Sequence, residues 1–434
     1  MNYYEEARGM KEELIHQRRD FHAHPETAWT EFRTTSIIAT ELEKLGYEVK
    51  MGSEVLDDSA RMLVPDEKTL KQCAQRAIKE GANPVLVDRM KGGMTGCVGI
   101  MHFAKPGKTV ALRFDIDSLF VAEDPAPSHR PSALGFQSCH PGVMHACGHD
   151  GHATIGLAVA RLVAAHKDRM AGTLKICFQP GEEGVVGAKS MVQSGIVDDV
   201  DYFISGHIGL GDYNDGSLVC MTKGFLATDK LDAEFSGVPS HAGAEPEKGK
   251  NALLAAAQAA ISLHTISRHS GGSSRINVGV LEAGTGRNVV PANGLIKFET
   301  RGETAEINDF MAKEAKRMCR AAAMLYDVDV KITPRGSATS SNSSREMGEE
   351  IYSLVEPLNV YQHVVKEQKV SGSEDCCYFM SRVQEHGGQA VYMLYGTKEA
   401  AGHHQSDFDF NEEVLPRTAA TIAMLVEHFG NKEE

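Results

Sequence analysis

Four short apolar runs in this chain end on residues that carry chemistry, and no other feature constrains the fold as tightly. Thr109 to Phe114 (TVALRF) runs into Asp115 and Asp117, and Thr173 to Phe178 (TLKICF) into Gln179-Pro180-Gly181-Glu182-Glu183. Tyr202 to Ser205 (YFIS) runs into Gly206-His207, and Ala390 to Tyr395 (AVYMLY) into a loop bearing His403 and His404. Short apolar strands alternating with polar stretches and helices are the pattern of a parallel α/β sheet. Such sheets bind ligands beyond the carboxyl ends of their strands, so the four ends predict one shared site.

The stretch from Met144 to His152 (MHACGHDGH) supplies the densest chemistry, with three imidazoles, a thiol and a carboxylate just before the helical run Ala153 to Ala165. A polar helix cap with a buried cysteine is the alternative reading. Convergence with the four strand ends favours a transition-metal site, because thiolate and imidazole are soft to borderline ligands. Cys147, His149, Glu183, His207 and one of His403 or His404 are too many donors for one tetrahedral ion with an open position. They suit two ions sharing a water, and therefore a hydrolase. Adjacent residues at a strand end point in different directions, so Glu183 is expected to ligate and Glu182 to move protons as base and then acid. Asp117 is expected to accept from a ligand imidazole and fix its tautomer. Asp115 either caps a helix or pairs with Arg113. His22 and His24 read as a helix end and its cap.

Residues 11 to 46 predict two helices broken at Pro25 and stopped at Gly46. Residues 51 to 95 form a polar insertion with a helical centre and no assignable chemistry. From about 222 to 335 the order changes to strand (Leu231 to Phe235), helix (Asn251 to Ile266), strand (Arg275 to Leu281), strand (Gly294 to Arg301), helix (Ala305 to Leu325) and strand (Asp327 to Ile332). That β-α-β-β-α-β order is ferredoxin-like. The expected organisation is a discontinuous catalytic domain, 1–221 and 336–434, interrupted by a satellite or lid domain at 222–335. The satellite carries Ser240-His241-Ala242-Gly243 and Gly286 to Pro291 in its loops. His241, Asn288 and Arg301 are suitable donors there for an oxyanion and a substrate carboxylate.

Size and charge narrow the function. A chain of 434 residues with 42% hydrophobic and 24% charged residues predicts a soluble protein of two or three domains. A net charge of −14 argues against nucleic acid and anionic membranes as partners. No apolar run reaches a transmembrane span, and Met1 to Glu6 lacks a basic region followed by an apolar core, so a cytoplasmic location is expected. Nine cysteines without a CxxC pattern predict that most are buried thiols, with Cys147 the exception as a thiol that carries chemistry.

Taken together, RxDxD (Arg113, Asp115, Asp117), MHACGHDGH, QPGEE (Gln179 to Glu183), GH at His207, SHAG with GKNA (Gly249 to Ala252), GRNVVP (Gly286 to Pro291), GSED (Gly372 to Asp375) and HHQSDFDFNEE (His403 to Glu413) resemble the M20 metallopeptidase and amidohydrolase family over nearly the whole chain. Within it, the insertion from Gly52 to Thr95, Ser138-Cys139 and the AAGHH ending resemble the branch that splits p-aminobenzoyl-glutamate into p-aminobenzoate and glutamate. The resemblance implies two divalent ions, manganese before zinc, a related B subunit as partner, and dimerisation through the satellite domain. It implies Cys147, His149, Glu183, His207 and His404 as ligands and Glu182 as the acid/base. His404 is chosen because the family's ligand precedes the first Phe of the FDF-type run, here Phe408, by four residues. His241 is implied to reach a partner's site, with Asn288, Arg301 and Gly372 on the substrate side. Another N-acyl amino acid, hippurate-like or indole-acetylated, would need the same machinery. A noncatalytic subunit of a hetero-oligomer would not need Glu182, which is present.

Overall fold

The computed structural model describes residues 3–209 and 215–433. Met1 and Asn2, part of the stretch read for a targeting signal, lie outside the described residues. The chain divides into two compact units: Met1–Lys223 with Asn342–Val370 and Tyr378–Glu434, and Gly224–Ser341 with Ser371–Cys377. The short segment Ser371–Cys377 thus joins the inserted unit, although its neighbours in sequence belong to the first.

The first unit is built on an eight-stranded sheet in the order Glu48–Met51, Cys97–His102, Ala171–Gln179, Lys105–Asp115, Tyr202–Ile208, Gln389–Tyr395, Ser217–Lys223, His363–Lys369. Its middle four strands are the four apolar runs read from the sequence, adjacent and mutually parallel. The expected parallel sheet is in fact mixed, because Cys97–His102 pairs antiparallel with Ala171–Gln179 and Ser217–Lys223 antiparallel with Gln389–Tyr395. The middle strands are apolar without alternation because helices cover them on both faces. Helix His149–Ala165, buried along almost its whole length, lies close enough that a Cβ on Gly156 would stand 2.6 Å from the Phe178 ring and 2.7 Å from that of Phe114. Glycine at 156 is what allows this approach. The helices Lys11–Ala23 and Phe32–Lys44 flank the expected break, and Gly46 takes φ 85°.

Behind the start of helix His149–Ala165 lies a buried ion cluster. Arg18, fully buried, places Nε 2.8 Å from Asp150, an Nη 2.9 Å from Asp409 and the other 3.3 Å from Glu412. Its guanidinium carbon stands 4.3 Å above the Phe410 ring. Arg130 reaches the same Asp409 carboxylate at 2.9 Å. Burial opposes the charge on Asp409, but Arg18 and Arg130 hold its carboxyl below the usual range. A carboxyl depressed in the folded state contributes stability that is complete above its unfolded pKa and lost as pH falls through the folded one. The denaturation midpoint is therefore expected to fall once pH drops below about 4–5. Asp409→Asn should flatten that acid limb, measured by urea unfolding between neutral and acid pH.

The second unit is a four-stranded antiparallel sheet, in the order Asp329–Ala338, Ala227–Ser236, Asn293–Gly302, Ser274–Ala283. Helices Ala252–Leu263 and Ala305–Leu325 share one apolar core with it. The connectivity is the ferredoxin-like one read from the sequence. Its last strand starts later than expected, because Asp327 takes φ 53° in the turn that ends the preceding helix. Among the described residues no helix is long and apolar enough to cross a membrane.

Candidate active site

The four parallel strands of the first unit deliver their ends side by side, and the predicted donors meet there. Ligand atoms of Cys147, His149 and His207 lie within 4.8 Å of one another, as do those of Cys147, Glu183 and His404 and those of His149, Glu182 and Glu183. Cys147 Sγ stands 3.5 Å from His207 Nε2. His149 Nε2 is 3.8 Å from Glu183 Oε1 and 3.9 Å from Glu182 Oε2. His404 Nε2 is 3.3 Å from Glu183 Oε2. His403 comes to the same cluster, its Nδ1 3.5 Å from Cys147 Sγ and its Nε2 3.0 Å from Glu399. His404 takes φ 65°, and the two consecutive imidazoles meet different partners. His403 is 14% exposed and His404 54%.

This donor set fits divalent cations. His149 Nε2 and Glu183 Oε1 are buried and lack a hydrogen-bond partner, yet they face each other. Leaving such an atom unpaired costs about 1–3 kcal/mol, more for a charged group. Two donors each roughly 2.0–2.2 Å from one ion stand about this far apart. Burial, with Asp117 adding to it, pushes the Glu183 carboxyl up to about 7 against the pull of His149. Burial, then Glu183, pushes the Cys147 thiol well up. Burial, with His152 and His403, pushes His207 well down, which keeps it in the neutral form that ligates metal. Burial opposes a charge on His149, but Asp115 raises its pKa well above the ordinary value, and that proton is what a bound cation would displace.

Backbone contacts aim the donors. His149 opens its helix after Gly148 (φ 92°), and its Nδ1 donates to the Asp117 main-chain carbonyl at 3.0 Å. His207 Nδ1 donates to the Ile208 carbonyl at 2.7 Å. Both rings therefore turn Nε2 toward the cluster. The Asp117 carboxylate, expected to receive the imidazole itself, stands farther off at 3.4 Å. It also accepts from the amides of Glu182 (3.0 Å) and Glu183 (3.1 Å), which the strand end leaves without sheet partners. Asp115 pairs with Arg113 at 2.6 Å, one of its two expected roles, and also accepts from His152 Nδ1 at 2.5 Å. His152 Nε2 in turn accepts from the Ile208 amide at 2.9 Å, so this pair braces the segment that carries His207.

That role for His152 was not legible, since its partners are far away in sequence. His22 is likewise more than a helix end. Its Nδ1 lies 2.8 Å from Asp150 and its Nε2 3.0 Å from Glu123, so both nitrogens donate and the buried ring is cationic. Burial and Arg18 oppose that charge, and the two carboxylates raise its pKa nevertheless. His24 is the residue that ends the helix, as expected.

The remaining predicted residues belong to the second unit. His241 is exposed, and its Nδ1 accepts from the amides of Gly243 (3.2 Å) and Ala244 (3.0 Å), which leaves Nε2–H as its donor. The Asn288 carbonyl accepts from the Ala242 amide at 3.0 Å, so the two loops are joined. Arg301 is engaged by Glu299 at 2.9 and 3.2 Å, and any substrate carboxylate would share it. Exposed Gly372 accepts from the Leu226 amide at 2.9 Å.

The model of peptidase family M20/M25/M40 matches residues 111–428. The chain belongs to that family. This M20 chain is 46% identical over 429 residues to the indole-3-acetyl-aspartic acid hydrolase of Enterobacter agglomerans, covering 98% of each. It is also 46% identical over 417 residues to a p-aminobenzoyl-glutamate hydrolase subunit of Escherichia coli, covering 96% of this chain and 95% of the relative. The crystal structure of the aminobenzoyl-glutamate utilization protein from Klebsiella pneumoniae superimposes with a TM-score of 0.85 at 37% identity, covering both chains fully. With this membership and this constellation, the M20 chain is a hydrolase.

Proposed function

We propose that this chain hydrolyses the amide bond between an aromatic acyl group and an acidic amino acid, with p-aminobenzoyl-glutamate as first substrate. The observation that carries the reading is Glu182, a carboxylate beside the Cys147–His149–Glu183–His207 cluster whose backbone is fixed independently of its side chain. In this reading Cys147, His149, Glu183, His207 and His404 hold two divalent ions, manganese favoured. When bound, such ions lower the pKa of water and polarise a carbonyl oxygen. Glu182 takes a proton from the attacking water and delivers it to the departing nitrogen, giving p-aminobenzoate and glutamate. Asp117 holds the backbone from which the two glutamates project. His241 Nε2–H is the oxyanion donor to a partner's site across a dimer of the inserted units, and Asn288, Arg301 and Gly372 belong to recognition of the amino-acid carboxylates. The inserted unit, read from the sequence as 222–335 and running over Gly224–Ser341 with Ser371–Cys377, acts as lid and dimerisation domain for a catalytic domain made of the first unit. Its exposed Leu254 and Ile261, two turns apart on one helix, support a surface for a related B subunit or a second copy.

A second reading, an indole-3-acetyl-aspartate hydrolase, is favoured by the equal identity to that relative. Both are tested on the purified chain after chelation and after returning Mn²⁺ or Zn²⁺, by chromatographic release of p-aminobenzoate or indole-3-acetate. Activity is expected to vanish on chelation, return with metal and favour p-aminobenzoyl-glutamate. Preference for the indole conjugate establishes the second reading. Silence on both with every metal, alone and with the related subunit added, overturns the first.

A further inference from the structure

Glu31 is completely buried just before helix Phe32–Lys44, and burying a carboxylate is costly unless it is well paired. Capping that helix does not account for it, because the amides of Arg33 and Thr34 are met by Glu26 at 2.9 and 2.8 Å. Glu31 reaches elsewhere. Its Oε1 accepts from the Gly181 amide at 2.9 Å and its Oε2 from the Thr95 hydroxyl at 2.6 Å. The next two amides, Glu182 and Glu183, go to Asp117. Three consecutive amides of the turn after strand Ala171–Gln179 thus end on two buried carboxylates.

Gly181 is where such a clamp matters. It takes φ 66°, and glycine has the widest backbone freedom of any residue at the point where the chain leaves the strand. Its carbonyl accepts from the amides of Val186 and Gly187, both at 3.1 Å, so with Glu31 on the amide both sides of the residue are held. Thr95 closes the insertion to which the sequence assigned no chemistry. The same insertion grips helix Ala188–Gln193, which follows the turn, where the Asp57 amide donates to the Ser190 carbonyl at 3.0 Å and the Ser190 hydroxyl to the Asp57 carbonyl at 2.8 Å.

We infer that Glu31, held by Thr95, is a positioning residue that fixes the Gly181 peptide and thereby the directions in which Glu182 and Glu183 leave the strand, with the 52–95 insertion as its brace. The inference rests on the roles given to Glu182 and Glu183 above.

The test uses the full chain and begins without substrate, by hydrogen exchange across residues 179–187. Glu31→Ala is expected to speed Gly181 exchange about 10–100-fold, the cost of leaving the buried Gly181 amide without its acceptor, with helix Phe32–Lys44 unchanged. The visible spectrum of the Co²⁺-loaded variant should shift at unchanged stoichiometry. On a substrate that the wild type cleaves, kcat should fall roughly 10–100-fold with KM held within about two-fold. Glu31→Gln keeps an oxygen for Gly181 and should restore exchange and kcat to within about three-fold. Thr95→Val, nearly isosteric, should move exchange in the same direction by about three- to ten-fold, which keeps the inference testable if the alanine variant does not fold.

Unchanged Gly181 exchange and Co²⁺ spectrum in Glu31→Ala or Thr95→Val overturn it. So does faster exchange spread over the whole unit, the mark of a merely structural residue. A wild type inactive on every substrate tried overturns the proposed function alone, because exchange and spectrum read the clamp without turnover.

Discussion

Alanine at position 182 is expected to lower kcat by about 10²–10⁴-fold while leaving KM, bound metal and thermal unfolding near those of the parent chain. The expectation follows from the division of labour at the strand end. Glu182 is 12% exposed, with its carboxylate 3.9 Å from His149 Nε2, whereas Glu183 keeps a buried carboxylate oxygen without a hydrogen-bond partner at the cluster. Removing the Glu182 side chain does not release the turn, because Asp117 holds its main-chain amide. Glu182→Gln should be as inactive as alanine, since a carboxamide keeps the shape and loses the proton transfer. Steady-state kinetics with metal analysis of the same preparations separates the cases. Loss of metal in Glu182→Ala with metal retained in Glu183→Ala would exchange the two roles.

Arg18→Met is expected to destabilise the fold by about 3–5 kcal/mol, the usual cost of stripping the partner from a buried ion pair. Three carboxylates depend on this guanidinium, and all are nearly or wholly buried. Arg130 and Arg19 reach only Asp409 and Glu412, so Asp150 would retain His22 as its sole neighbouring cation among these residues. The melting temperature should fall by roughly 5–10 °C. Because Asp150 adjoins His149, metal affinity should weaken in the same variant. A Tm within about one degree of the parent would show that the cluster relaxes around the loss.

What the sequence made legible follows the range of the signal. The middle strands, the Met144–His152 stretch and the Glu182–Glu183 pair carry their signature within a dozen residues, and the ferredoxin-like unit does so in its element order. Strands Glu48–Met51 and His363–Lys369 escape because they are short or edge strands in which at least half of the residues are charged or polar. Strands Cys97–His102 and Ser217–Lys223 escaped beside an insertion and a unit boundary. The supports of the site were hidden for another reason. Glu31 meets Gly181, His152 meets Asp115 and Ile208, and Arg18 meets Asp409 only after folding, and no local pattern announces such pairs. Asp117 illustrates the limit best, since its place beside His149 was foreseen but the choice between its carbonyl and its carboxylate was not.

Strand Gln389–Tyr395 lies in register beside Tyr202–Ile208, with the whole inserted unit between them in the chain. Protein synthesis meets these strands in order. Cys147, His149, Glu183 and His207 are all made before the insert begins, and the loop of His403 and His404 follows roughly 200 residues later, on the order of 10–40 s at ordinary rates of translation. Through that interval the ribosome-bound chain carries a thiol and two glutamates in a half-built donor set, with the neighbouring strand still missing. Cys147 is then open to oxidants from which the folded protein buries it. On the proposed ligand set the donors are complete only when the last histidines have been made, which would place metal loading in maturation rather than in translation.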